Sequence, residues 1–268
     1  MMEDSQRDDE LNAAVSSGDA AELARLLQAA ELVSDRTVQS LLSKAAWKSN
    51  LAIITFLLER YPSTPLEEET VRAAVYSGSI PLFSALMAKD PSIITMQFDK
   101  RGTPLIVACH SKQPIDFLRF LLEAGADPNQ DPDCTAYPIT LVVYLHPDIG
   151  VVDLLLHHGA RLEQSGAVAA AINRGNESML RHLLERSAGL ERDAIDLAID
   201  PRKGWFPLHV ALRKGHVGVL KILLDHGVDV AAADAKGMTV MEMAEEMSNQ
   251  GQDMSEVIQL LQSYEAQS

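Results

Sequence analysis

Pairs of large apolar residues recur along this chain at a spacing too regular for an ordinary globular core. They are Leu26–Leu27, Leu57–Leu58, Leu86–Met87, Leu121–Leu122, Leu155–Leu156, Leu183–Leu184, Leu223–Leu224 and Leu260–Leu261. Successive pairs lie 31, 29, 35, 34, 28, 40 and 37 residues apart. Three residues before each pair stands another apolar side chain: Leu23, Ile54, Phe83, Leu118, Val152, Leu180, Leu220 and Val257. Apolar residues at i, i+3 and i+4 line one face of an α-helix. A period of this length means that one helical unit is repeated, and that each unit buries its apolar face only against its neighbours.

A second, shorter helix is predicted upstream of each pair. Ala14, Ala45, Ala74, Ala171 and Ala211 each fall 12 positions before the first residue of their pair, and Gly18, Gly78, Gly175 and Gly215 follow four of them. Small residues let first helices approach closely, and glycine takes the left-handed conformation of a tight turn without a Cβ penalty. Gly125, Gly159 and Gly227 punctuate the ends of second helices in the same way. Pro104, Pro138 and Pro207 suit the first helical turn, where a missing N–H costs nothing, and Thr103 is placed to cap the helix that Pro104 opens.

Composition excludes several classes. The 268 residues are 47% hydrophobic but only 5% aromatic, so the core is aliphatic. No apolar run approaches the roughly 18 residues a membrane span needs, and the acidic start MMEDSQRDDE is no secretory leader. Cys109 and Cys134 make no disulfide framework. The net charge of −15 is concentrated at the ends: residues 1–10 carry five acids and one arginine, and residues 242–268 carry six acids with no Lys or Arg. This acidity argues against nucleic acid, whose phosphates require basic surface. Charged, polar ends also favour a monomer, because they keep the outer units of a stack soluble.

The segments RGTPLIVA at 101–108 with LLEAGADPN at 121–129, and KGWFPLHVA at 203–211 with LLDHGVDV at 223–230, resemble the ankyrin repeat; LLHHGAR at 155–161 and KGMTVMEMA at 236–244 are partial matches. The resemblance implies an all-α solenoid of about eight helix-turn-helix repeats joined by short β-hairpin loops. It divides the chain into an acidic N-terminal tail at 1–9, one array at 10–262 whose first and last repeats act as caps, and a C-terminal tail at 263–268. Departures from the pattern are expected as well. The hairpin before Pro104 is one residue short, and the first helices of the fourth and fifth repeats carry one extra residue. The last repeat has an insertion around 248–254. The longest interval holds LERDAIDLAID at 190–200, read as a lengthened hairpin with an extra helical turn and as a second candidate binding element.

No constellation of residues carries catalytic chemistry. Cys109 and His110 are neighbours on a helix, so they point about 100° apart and form no nucleophile–base pair. Cys109 reads as a packed thiol. His157 and His158 diverge likewise, and with His182 they lack the spacing of a metal site. His209 stands where the family uses a histidine for a structural hydrogen bond, and Asn129 reads as a turn residue. The chain is therefore expected to be no enzyme, with no metal and no cofactor. The expected function is that of an adaptor, inhibitor or scaffold. The alternatives are a biosynthetic accessory protein or enzyme with a groove active site, and a nuclear regulatory cofactor. The expected compartment is the cytoplasm or the nucleus.

By the same resemblance, the residues just before the first-helix turn and those at the hairpin tips face a concave groove. Along the chain these are Trp47, Lys48, Tyr76, Lys100, Arg101, His110, Tyr144, Arg174, Arg202, Lys203, Trp205, Arg213 and Lys214. An acidic chain thus gathers basic and aromatic side chains on one face, and Trp, Tyr and Arg are the usual anchors of interfaces. A protein partner with an acidic or aromatic segment is expected there.

Overall fold

The structure, a computed structural model, describes residues 2–30, 33–130, 136–163, 165–186 and 206–266, with side chains from Arg7 onward. The described residues form helices in eight consecutive pairs. In the first unit, Met1–Pro138, these are α1 (Met2–Ser17) with α2 (Ala20–Ala29), α3 (Asp35–Trp47) with α4 (Leu51–Arg60), α5 (Glu68–Ser77) with α6 (Ile80–Lys89), and α7 (Pro104–His110) with α8 (Ile115–Glu123). The second unit, Ile139–Ser268, continues with α9 (Pro138–Leu145) and α10 (Ile149–His157), α11 (Ala167–Arg174) and α12 (Glu177–Arg186), α13 (Pro207–Arg213) and α14 (Val217–Asp225), then α15 (Val240–Asn249) and α16 (Ser255–Glu265). The helix α1 begins at Met2 and α16 reaches Glu265, so helix occupies most of the residues expected to form the two tails.

First helices pack on first helices and second on second. In unit 1, α1, α3, α5 and α7 stand side by side, and so do α2, α4 and α6. In unit 2, α11 packs on α13 and α12 on α14, although a 40-residue interval separates their apolar pairs. The stretch 190–203 lies outside the described residues. The apolar face predicted from the doublets is the core: Leu23, Leu27, Ile54, Leu57, Phe83, Leu86, Leu118, Leu121, Val152, Leu155, Leu180, Leu183, Leu220, Leu223 and Leu261 are all buried. Ala14, Ala45, Ala74, Ala171 and Ala211 are buried between first helices.

These alanines also set the turn. The carbonyl of Ala14 accepts the Asp19 amide at 3.0 Å, that of Ala45 the Asn50 amide at 2.9 Å, that of Ala171 the Asn176 amide at 3.1 Å and that of Ala211 the His216 amide at 2.9 Å. Ala108 does the same for the Gln113 amide at 3.0 Å. The first helix of the fourth repeat is therefore of ordinary length. Its extra residue lies beyond the turn, where Pro114 is the cap of α8; in the fifth repeat Pro147 stands one residue before Asp148, the cap of α10. A proline has no N–H to give a helix interior, so it is accommodated in the turn.

The residue before each of these amides must be left-handed. Gly18 and Gly175 take φ of 78° and 67° there, but the second and fourth repeats place Ser49 and Lys112 in the same conformation, with φ of 54° and 59°. An L-residue so held costs roughly 1–2 kcal/mol, partly offset by the greater backbone entropy that glycine loses. Ser49→Gly and Lys112→Gly are each expected to stabilise the chain by about 0.5–1 kcal/mol. Urea unfolding checks this, and an unmoved midpoint counts against it.

Helix starts follow the expected chemistry. Thr103 accepts from the Ile106 amide ahead of Pro104, Asn50 from Ile53, and Thr239 and Glu242 form a reciprocal capping box. The β-hairpins are smaller than expected. Among the described residues they reduce to single bridges, Phe98–Gly102 and Ala233–Thr239. Thr103 and Thr239 are already helix caps, so the chain leaves the extended conformation after one bridge. In the later turn Asp234 Oδ1 accepts the amides of Met238 and Lys236, which hold its carboxyl below the ordinary carboxylate pKa. The shortened turn puts the buried Phe98 in the place of that aspartate. A 3-10 segment, Pro91–Thr95, buries Ile93 and Ile94 beneath it.

Candidate protein-binding surface

In unit 1 the C-terminal ends of the first helices carry an aromatic pair, Trp47 exposed and Tyr76 half-buried. Trp47 on α3 and Tyr76 on α5 stack with ring centroids 5.6 Å apart and planes 21° from parallel, and Trp47 remains 48% exposed. The indole is fixed from its edge, where Trp47 Nε1 donates to Glu69 Oε1 at 2.6 Å. Arg72, one turn further along α5, pairs with Glu69 and reaches Glu68 at 3.5 Å. Glu68 Oε2 in turn accepts the amide of Asp99 at 3.1 Å. One polar chain thus ties α3, α5 and the turn before α7 together.

Beside this ledge lies a groove of about 650 Å³ between α5, α7 and the turn. Tyr76, Lys100, Arg101 and His110, all expected in the groove, line it together with Glu68, Arg72 and Asp99. Its lining therefore bears two acids and three bases besides histidine, and Glu69 pairs with one of those bases, Arg72. The surface is of mixed sign, where the sequence pointed to a basic and aromatic one. Among the described residues, Lys48, Lys100 and Arg101 make no ion pair. Lys48 is exposed just past Trp47.

Unit 2 carries its own patch. The Arg174 guanidinium lies 5.5 Å from the centre of the Tyr144 ring, which is also 48% exposed. Arg213 and Lys214 are exposed at the end of α13. Arg202, Lys203 and Trp205 lie outside the described residues, as does Cys134.

The side chains weighed for chemistry have structural partners. Cys109 is fully buried, and burial pushes its thiol up to about 12, while His110 is exposed. The rings of His157 and His158 meet edge to face, and His182 pairs with Asp153 at 2.9 Å. His209 is buried, its Nε2 2.8 Å from the carbonyl of Met238 in the next repeat, which is the structural role expected of it. Among the described residues its Nδ1 is buried without a partner beside Phe206, a residue with no hydroxyl to offer. The Asn129 amide closes a turn on Asp127 Oδ1. Among the described residues, no three His, Cys, Asp or Glu side chains gather as metal ligands, and no helix is long and apolar enough to cross a membrane.

Comparison with known proteins gives the class. The family of ankyrin repeats in three copies matches residues 139–234 and 167–267, and the single ankyrin repeat matches residues 102–132. These matches take in more than half of the chain, which belongs to the ankyrin repeat family. Ankyrin repeats are protein–protein interaction modules. The chain is 29% identical over 174 residues to the ankyrin repeat protein nuc-2 of Neurospora crassa, covering 62% of this chain and 15% of that protein. It is 30% identical over 180 residues to the NF-kappa-B inhibitor cactus of Drosophila yakuba, covering 66% of this chain and 35% of the relative. With human SH3 and multiple ankyrin repeat domains protein 2 it shares 31% over 156 residues, 46% of this chain and 8% of the other. The chain thus spans about a third or less of these relatives. A solved ankyrin repeat domain from Acinetobacter baumannii aligns with a TM-score of 0.60 at 23% identity, covering 74% of this chain and 98% of the domain. A further solved ankyrin repeat protein gives 0.61 at 21%, over 75% of this chain and all of the other.

Proposed function

We propose that the repeats between residues 10 and 262 act as an adaptor, inhibitor or scaffold that holds a segment of another protein across the unit 1 groove. The observation that carries this reading is the Trp47–Tyr76 stack. Two large aromatic side chains lie at a surface where an isolated protein places polar residues, and Glu69 fixes one of them in place. Rigid, exposed aromatics are the residues from which interfaces draw most of their energy. Cactus is named as an inhibitor, and a module that occupies part of its partner inhibits without chemistry of its own.

The test is affinity capture from native lysate with the wild-type chain and with Trp47→Ala/Tyr76→Ala, followed by titration of the retained partner. Loss of an anchor costs 2 kcal/mol or more, so the double variant should bind at least ~30-fold more weakly with unchanged circular dichroism. Equal affinity of the two forms would show that the stack is not part of the interface.

A further inference from the structure

We propose that the turn Phe98–Gly102 holds a single side-chain carboxylate of the bound segment, an Asp or Glu, between Lys100, Arg101 and His110, while an aromatic neighbour of that residue lies on the Trp47–Tyr76 ledge. This assignment rests on the groove reading above and specifies the chemistry that the groove accepts.

Backbone conformation is the first argument. Lys100 is left-handed, with φ of 54°, in a turn where glycine or asparagine sits without strain. Gly102, two residues on, has φ of 76° and carries no such cost. Ser49 and Lys112 share this conformation, but of the three only Lys100 lines the groove, where the strained residue carries a charged side chain toward a ligand. The turn is also held from beneath and beside. Phe98 is buried under it, its amide bonds the Gly102 carbonyl at 2.9 Å, and the Asp99 amide is anchored on Glu68. Lys100 and Arg101 therefore project from a fixed backbone, so only their side chains lose freedom when they engage a ligand.

Charge is the second argument. Trp47, Glu69, Arg72 and Glu68 satisfy one another, whereas Lys100 and Arg101 make no ion pair among the described residues. At the turn itself Lys100 and Arg101 outweigh Asp99 by one positive charge, which one carboxylate neutralises. A phosphate ester, close to −2 at neutral pH, leaves excess negative charge beside Glu68 and Asp99. The apolar ledge next to these cations favours an acidic residue with an aromatic neighbour over a run of acids.

The experiment is selection of random heptapeptides displayed on phage against the full chain, its Lys100→Glu/Arg101→Glu variant and Trp47→Ala/Tyr76→Ala. Wild type should enrich Asp or Glu adjacent to Phe, Tyr or Trp, and the charge-reversed variant should enrich Lys or Arg at the same place. A selected peptide should bind Lys100→Gly at least about tenfold more weakly, the loss of one charge-assisted contact, although relief of the left-handed backbone raises the melting temperature of that variant. Opposite movements of affinity and stability are not expected of a residue that serves the fold alone.

Selection of the same peptides by wild type and the charge-reversed form, or undiminished affinity of Lys100→Gly, overturns the carboxylate assignment. If the aromatic double variant alone loses the peptides, the groove stands and the carboxylate falls; if neither variant changes the selection, both readings fall. Tighter binding of a synthetic peptide with phosphoserine in place of the acid overturns the assignment in favour of phosphate. Concentration-dependent dimerisation abolished by Lys100→Glu/Arg101→Glu overturns it in favour of a second copy.

Discussion

Phe83→Ala is expected to destabilise unit 1 by about 3–5 kcal/mol, the range for removing a fully buried phenyl ring. Phe83 is 0% exposed on α6 and stands at the centre of a three-ring cluster, with Phe117 at 5.9 Å and 85° and Phe120 at 6.1 Å and 81°. Both are edge-to-face contacts, which add about 0.5–1.5 kcal/mol each beyond the area they bury. The two partners belong to α8, so truncation loosens the seam between the third and fourth repeats as well as the third repeat itself. In a stack where each repeat touches only its neighbours, damage stays near its origin. Urea unfolding followed by Trp47 fluorescence in a Trp205→Phe background should shift by the full amount, and a shift below about 1 kcal/mol would mean that the seam repacks around the missing ring.

The second large effect is expected at a residue with no side chain. Gly175 ends α11 with φ of 67°, and a Cβ there would lie 2.7 Å from the imidazole of His216, whose Nε2 is 3.4 Å from the carbonyl of Asn173. Gly175→Ala combines the left-handed cost of roughly 1–2 kcal/mol with an overpacking cost of roughly 1–3 kcal/mol. The expected loss is about 2–4 kcal/mol. Gly159→Ala separates the two contributions, because Gly159 has φ of 86° and nothing within 4 Å of the same position. Chemical denaturation of both variants checks the difference. Equal losses would show that the ring moves aside freely.

The periodic part of this structure was legible in the residues. Doublets three and four residues from another apolar side chain marked the buried face of the second helices, and buried alanines marked the first. Proline and threonine at 103–104 marked a helix start that the structure reproduces. These signals are local, set by helical geometry within a few residues. The polar part of the groove was less legible. Glu68, Glu69 and Arg72 are spaced for helix pairs, but their contacts with Trp47 and Asp99 span 22 and 31 residues and depend on how successive repeats lie together. Spacing shows which positions face the groove, and it does not show which charges are already matched there. The extra residue of the fourth repeat was likewise countable but misplaced, because counting alone does not distinguish a longer helix from a longer turn.

The turns between paired helices bear on how such a chain changes over time. At Gly78 the side chain of Gln113 from the next repeat occupies the space that a Cβ would need, and at Gly175 the ring of His216 does. In the second repeat a serine stands at the corresponding position. At these two junctions the fit is made by different residues, whereas at Gly215 nothing lies within 4 Å of the same position. Duplication or exchange of single repeats would separate these pairs and bring a side chain against one it was never fitted to. The repeats look like copies of one another, yet where a junction is fitted in this way an exchange that preserves the stack would have to carry both of its sides together.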